Sequence, residues 1–303
     1  MTDPYLDAVV RDVPSITVPA DGVQEFLAQP IRDYAGFLQT ADVYARPAKG
    51  KPRPALLCLH GGGWAGGTPQ EYRRLGRYLA WRYDLVVASA SYRLIDRARF
   101  PVQIQDAANA MRWLRGNAAR WAIDPQRIGI AGSSAGGYLA TMVALTHHDP
   151  RLAGGDAIDA TSAQPQVLIT QWGPIDFIAR WYGNGGRPGA EKGMLNTTYV
   201  EDPTLYHFAS ALTHVTSDAP PALFVYGKAD PVVHIQQAEL GAAAWKRHRV
   251  AHDSCLVDRI GHGGTDEADV RIAYRRIGEF LGDRLQATVN PASELFPLLE
   301  ISG

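Results

Sequence analysis

The chain has 303 residues, 46% hydrophobic and 20% charged, within the ordinary range of globular proteins, which excludes a fibrous or disordered chain. Its 30 Lys and Arg oppose 31 Asp and Glu for a net charge of -1, with no long run of one sign. That balance excludes nucleic acid as an expected partner, and because no apolar stretch reaches the roughly 18 to 20 residues that span a bilayer, stable membrane association is not expected either.

The first residues, MTDPYLDAVVRDVP, lack the basic flank, apolar core and small-residue cleavage site of a secretory leader, so a cytoplasmic location is expected. Residues 1–35 show no clear periodicity and are expected to form a cap element. Beyond them, short apolar runs alternate with helical patterns to the end of the chain. This is the signature of a mostly parallel sheet with helices on both faces, here in a single α/β domain over 1–303.

Strands are predicted at 37–44 and 55–59, then an amphipathic helix over 70–82 and a strand at 85–88. A second helix over 104–121 places Ile104, Ala108, Met111, Leu114 and Ala118 on one face. A strand at 128–131, a helix at 134–145 and a strand at 167–171 follow. The segment 173–216 then breaks the alternation, mixing Gly, Pro and Asn with Trp181, Tyr182, Tyr199, Tyr206 and Phe208. So many aromatic side chains predict a small lid rather than a plain connector. Strands at 223–226 and 254–257 and helices at 236–249 and 269–284 complete the pattern. The tail, ending in ELFPLLEI, is a candidate for packing on the body or against a second copy, which leaves a homo-oligomer open. Cys58 falls inside a buried apolar run and Cys255 in a strand, and two isolated cysteines make no disulfide framework.

Three motifs sit where strands run out. His60-Gly61-Gly62-Gly63-Trp64 follows the strand at 55–59. A glycine run can aim backbone N–H groups at one point without side chains intervening, so Gly62 and Gly63 are candidate oxyanion donors, with Ala135 a third. No Lys-Ser or Lys-Thr pair is present to make this a phosphate loop, and His60 is expected to orient the loop through its ring. Gly132, Ser134 and Gly136 stand in the G-x-S-x-G frame between a strand and a helix, the setting of a nucleophile elbow, whose sharp turn leaves no room for side chains two residues either side of the serine. Asp230, in YGKADPVV, and His262, in RIGHGG, complete the chain order Ser, Asp, His, so Ser134, Asp230 and His262 are the candidate catalytic triad. His147, His148, His207, His214, His234, His248 and His252 are rivals for the base, and Asp258 and Asp266 for the acid. Trp64, Trp172, Trp181 and Tyr182 are candidate substrate contacts.

Read together, HGGGW, SYRL followed by FP, the helix leading into WAIDPQRIGIAGSSAGG, then ADPVV and GHGG resemble the hormone-sensitive-lipase-like esterases of the α/β-hydrolase fold. The likeness is strongest to acetyl-xylan and feruloyl esterase-like hydrolases and runs over about 41–281. It implies carboxylic ester hydrolysis through an acyl-enzyme on Ser134, with no cofactor and no metal, acting on a small-molecule ester. It further implies architectural roles for SYRL and Asp106, and makes Gly173-Pro174 the exit from a core strand. The segment 173–216 departs from the family pattern, so the natural substrate is not implied. Amide or formamide hydrolysis by the same triad, and a ligand-binding homologue without catalysis, are the alternatives.

Overall fold

In the computed structural model, which describes residues 22–48, 50–154, 161–259, 261–263 and 267–290, the strands join in one sheet. They are β1 (Gln24–Tyr34), β2 (Phe37–Ala45), β3 (Arg53–Leu59), β4 (Val86–Ala90), β5 (Ile123–Ser133), β6 (Leu168–Gln171), β7 (Ala222–Gly227) and β8 (His252–Val257). The order in the 8-stranded sheet is β1-β2-β4-β3-β5-β6-β7-β8. The β1–β2 and β2–β4 pairs are antiparallel and every other pair is parallel. The carboxyl ends of β3, β5, β6, β7 and β8 therefore share one edge, the edge at which open α/β sheets assemble their sites.

β3, β4 and β7 are buried at every position. Side chains alternate across a pleated strand, so complete burial requires cover on both faces. The cover comes from α1 (Arg73–Tyr83), α2 (Val102–Gly116), α3 (Ala135–Thr146), the short α4 (Pro150–Ala153), then α5 (Phe177–Gly183), α6 (Glu191–Leu195), α7 (Pro203–Ala209), α8 (Gln236–Arg247) and α9 (Glu267–Leu285). α1 packs on α9, and α2 packs on α3. α3 is apolar around its whole circumference and buried throughout, as a helix enclosed by other elements must be.

The structure differs from the sequence expectation most in three places, besides the strand expected at 128–131 beginning already at Ile123 and the helix expected over 70–82 opening as a 3-10 turn, Pro69–Tyr72. Residues 24–34 are not a cap: they form β1, an edge strand of the central sheet, while 1–21 and the tail 291–303 lie outside the described residues. The register of β1 on β2 shifts between Phe26 and Gln29 and again between Pro30 and Arg32, and Ala28 N–H turns aside to the Asp42 carboxylate at 2.8 Å. The predicted helix over 104–121 stops at Gly116, and a tight 3-10 turn, Ala118–Trp121, closes on Ala122 at φ 52°. The third difference is order in 173–216: it folds as α5, α6 and α7 with a further 3-10 turn, Ala211–His214, on an aromatic core. Phe177 stacks on Tyr138 of α3 at 4.6 Å, and the Tyr138 hydroxyl donates to the Ala209 carbonyl at 2.8 Å. This helical segment, for which the sequence predicts a small lid, is termed the cap.

Candidate active site

The turn from β5 into α3 carries Ser134 at φ 51°, ψ -119°, a conformation L-residues rarely adopt. Its N–H donates to the Gln171 carbonyl at the end of β6, 2.9 Å away, and its own carbonyl accepts the Tyr138 N–H at 3.1 Å, which opens the helix. The two flanking glycines are required by close approach. A Cβ at Gly132 would lie 2.1 Å from the Gly136 carbonyl oxygen, and one at Gly136 would lie 2.0 Å from the Leu59 carbonyl oxygen. The backbone thus holds the hydroxyl up at the sheet edge.

His262, just past β8, and Asp230, just past β7, meet it there. His262 Nε2 lies 2.8 Å from Ser134 Oγ, and Nδ1 lies 2.8 Å from Asp230 Oδ2. A carboxylate oxygen can only accept, so Nδ1 carries the proton and the lone pair of Nε2 faces the serine hydroxyl, which donates to it. Asp230 Oδ1 accepts the N–H groups of Val232 and Val233 at 2.8 and 2.9 Å. Those bonds fix the carboxylate and leave Oδ2 for the imidazole. Both side chains are almost wholly buried.

The glycine loop lies against the serine: a Cβ at Gly61 would be 3.3 Å from Ser134 Cβ. Among the described residues, no protein acceptor takes the N–H of Gly62, Gly63 or Ala135. The loop turns on the Gly62 carbonyl, which accepts Ala65 and Gly66 N–H at 3.0 Å each. Around it stands a buried frame. His60 Nδ1 donates to the Gly61 carbonyl at 2.9 Å, and its ring stacks on Tyr92 at 4.2 Å. The Tyr92 hydroxyl donates to the His60 carbonyl, and the Glu71 carboxylate accepts Gly61 N–H at 3.3 Å and Thr68 N–H at 3.0 Å. Burial pushes the His60 imidazole down to about 4, against the smaller raising effect of its bond to Gly61. Burial also raises Glu71, outweighing the backbone N–H groups of Thr68 and Gly61, which lower it. In the SYRL segment, Tyr92 therefore holds the glycine loop. The neighbouring Arg93 holds Asp106 through Nη2 and Nε at 2.7 and 2.9 Å.

The four candidate substrate contacts have different fates. Trp64, at φ 61° and 1% exposed, is placed in the core, edge-on to Tyr138 and Phe177 at 5.5 and 6.0 Å. Trp172, 7% exposed and at φ 40°, directly follows Gln171, whose carbonyl accepts Ser134 N–H. Trp181 is 8% exposed and Tyr182 is 66% exposed; both face Tyr199 in the cap, at 5.9 and 5.8 Å. Among the rivals for the base, His214 is bonded to the Phe208 carbonyl and His252 to the Val250 carbonyl. Asp258 pairs with Lys228, and Asp266 lies outside the described residues. Sequence reasoning missed Glu71, while Tyr92 lies in the SYRL segment for which the resemblance implied an architectural role. The T-x-x-E spacing from Thr68 to Glu71, a helix-start signature, was the signal for Glu71.

Among the described residues, no three of His, Cys, Asp and Glu are grouped so as to hold a metal ion, both cysteines are free and buried, and no helix is long and apolar enough to cross a membrane. The family model described as BD-FAE matches residues 41–244. Esterase LipQ of Mycobacterium tuberculosis is 31% identical over 251 residues, covering 80% of this chain and 58% of that protein. Ethyl acetate hydrolase of Pseudomonas putida is 30% identical over 234 residues, covering 71% of this chain and 69% of that protein. This chain spans about half the length of the first curated relatives it matches, between 43% and 58%. A truncated carbohydrate esterase from gut microbiota superposes with a TM-score of 0.76 at 21% identity, covering 87% of this chain and 96% of that one. At that identity the likeness shows the fold: a mostly parallel sheet flanked by helices, the α/β-hydrolase architecture.

Proposed function

The chain belongs to the BD-FAE family, and from that premise we propose that it is a carboxylic ester hydrolase in which Ser134, His262 and Asp230 form the catalytic triad. The observation that carries the proposal is the unbroken chain of contacts from Ser134 Oγ through the imidazole to the buried carboxylate, 2.8 Å at each step. Ser134 Oγ attacks the acyl carbon while its proton passes to His262 Nε2. Asp230 stabilises the resulting imidazolium and keeps the ring in the correct tautomer. The developing oxyanion is met by the N–H groups of Gly62, Gly63 and Ala135, which have no protein acceptor of their own among the described residues. Collapse expels the alcohol, which takes the proton from Nε2. Water then repeats the sequence on the acyl-enzyme, and both serine and imidazole are regenerated.

Small or short-acyl esters are the proposed substrates. Trp172 directly follows Gln171, whose carbonyl holds the nucleophile's N–H, and a bulky ring so close along the chain favours a short acyl group; one relative is named for ethyl acetate. One domain carrying its own cap, and residence in the cytoplasm, belong to the same proposal; the two free buried thiols support the latter. The test is a series of p-nitrophenyl esters from acetate to decanoate, run beside p-nitroacetanilide. Activity should be highest from acetate to butyrate, fall along the series and be negligible on the anilide. Equal or faster cleavage of the anilide would replace the ester reading with amide hydrolysis.

A further inference from the structure

Within the cap lies an ion pair that the proposed chemistry does not use. Glu191, at the start of α6, is fully buried, and the Arg180 side chain in α5 is 11% exposed. Glu191 Oε2 accepts from Arg180 Nε at 3.0 Å, and Oε1 accepts Gly189 N–H at 2.8 Å. The pair leaves no room for a side chain at Gly189, where a Cβ would lie 2.5 Å from Glu191 Oε2 and 2.7 Å from Arg180 Nε. Desolvating two charges costs several kcal/mol per ion, and their attraction often does no more than offset that cost. Stability alone is a weak reason for such a pair in a cap that already has an aromatic core.

Its position supplies another reason. Arg180 uses a different nitrogen, Nη1, to donate to the Val232 carbonyl at 2.6 Å. Val232 is the residue whose N–H holds Asp230 Oδ1 at 2.8 Å. A single residue of the acid loop is thus gripped by the cap through its carbonyl and grips the carboxylate through its amide. On the other side, Ala190, next to Glu191, lies 3.5 Å from the position a Cβ at Gly63 would take, against the glycine loop. Met194, in the same helix, accepts Phe100 N–H at 3.1 Å, and Ile95 in that stretch donates to the Trp64 carbonyl at 2.9 Å.

We propose that the Arg180–Glu191 pair couples the cap to the acid loop, with Arg180 a positioning residue that acts through Val232 to hold Asp230, and so His262, in line with Ser134. The coupling rests on the triad reading above. Arginine suits the task because its rigid planar fork presents donors in fixed directions, to a carboxylate from one nitrogen and to a carbonyl from another. Lysine keeps the charge as a single point and loses that fixed arrangement.

The test compares wild type, R180K, the double variant R180M/E191M, and S134A. It measures kcat and KM on p-nitrophenyl acetate, the rate of inactivation by a small fluorophosphonate, and the melting temperature. The double variant removes both buried charges together, so neither is left unpaired. Misplacing a catalytic group by about 1 Å costs about 100-fold in rate. R180K and the double variant should therefore lose about 10- to 100-fold in kcat and, in proportion, in fluorophosphonate inactivation, with KM little changed and melting intact. The fluorophosphonate is small enough to need no cap contacts, so its rate reports the triad itself. Unchanged inactivation rates in both variants, whether KM or melting moves or not, would overturn the coupling. A wild type that the reagent does not label, or an S134A protein that keeps its activity, would instead overturn the triad reading and the coupling with it.

Discussion

Exchanging His60 for asparagine and lowering the pH measures how much of the protein's acid sensitivity resides in one imidazole. His60 is buried beneath the glycine loop, and its protonation is depressed from 6.5 to about 4, chiefly because the cationic ring would lie away from water. The unfolded chain takes up this proton as pH falls through about 6.5, whereas the folded chain does not until about 4. Between those values the unfolded state binds more protons, so stability present above about 6.5 is lost as pH falls, and the loss is complete below about 4. Each pH unit of depression is worth about 1.4 kcal/mol, so the full loss is about 3 kcal/mol, a large part of the ordinary stability of a domain. In the H60N variant an amide N–H can take the place of Nδ1–H against the Gly61 carbonyl, and it does not titrate. Urea unfolding of both proteins at intervals from pH 7.5 to pH 4 should show the wild type losing about 3 kcal/mol more than H60N, most of it below pH 6.5. Parallel loss of stability in the two proteins would refute the reasoning and place the acid sensitivity in the carboxylates they share.

Further outcomes follow from the site. D230N keeps an oxygen for the Val232 and Val233 amides but turns an N–H₂ group toward His262 Nδ1–H, so the ring must take the wrong tautomer; kcat should fall about 10⁴-fold with KM and melting little changed, read by steady-state kinetics. G136A places a methyl group 2.0 Å from the Leu59 carbonyl oxygen, forcing α3 away from the end of β3, and thermal melting should show destabilisation of about 3 kcal/mol or more together with loss of activity.

The strands of the parallel sheet are legible because burial on both faces leaves almost no polar residue in β3, β4 or β7. β1 is not: Gln29, Pro30, Arg32 and Asp33 erase its alternation, and an edge strand with two register shifts tolerates them because one of its sides faces solvent. The end of α2 had a readable stop in Gly116-Asn117, outweighed by the apolar residues that continue the periodicity to Trp121. In the cap, Asp176 accepts the N–H groups of Ile178 and Ala179, and Asp202 that of Leu205. Both are helix-start residues that sequence reasoning passed over in favour of the Gly and Pro content.

Ser134, Asp230 and His262 stood out because each needs a strand end and a fixed chain order, constraints that operate along the sequence. That the Trp64 ring is buried was not legible, because an aromatic beside a glycine loop carries no sign of which way its ring turns. Arg180 and Glu191 carry no motif at all. Their pairing exists only once α5 and α6 fold over the sheet, and nothing in the spacing from 180 to 191 announces it.

The central claim, that Ser134 is a nucleophile activated by His262, is tested most directly by intact-mass analysis after treatment with a fluorophosphonate, followed by mapping of the modified peptide. The account predicts one adduct per chain, on Ser134, absent from an S134A protein that melts as the wild type does. No adduct, or an adduct on the adjacent Ser133 that persists in S134A, would contradict it.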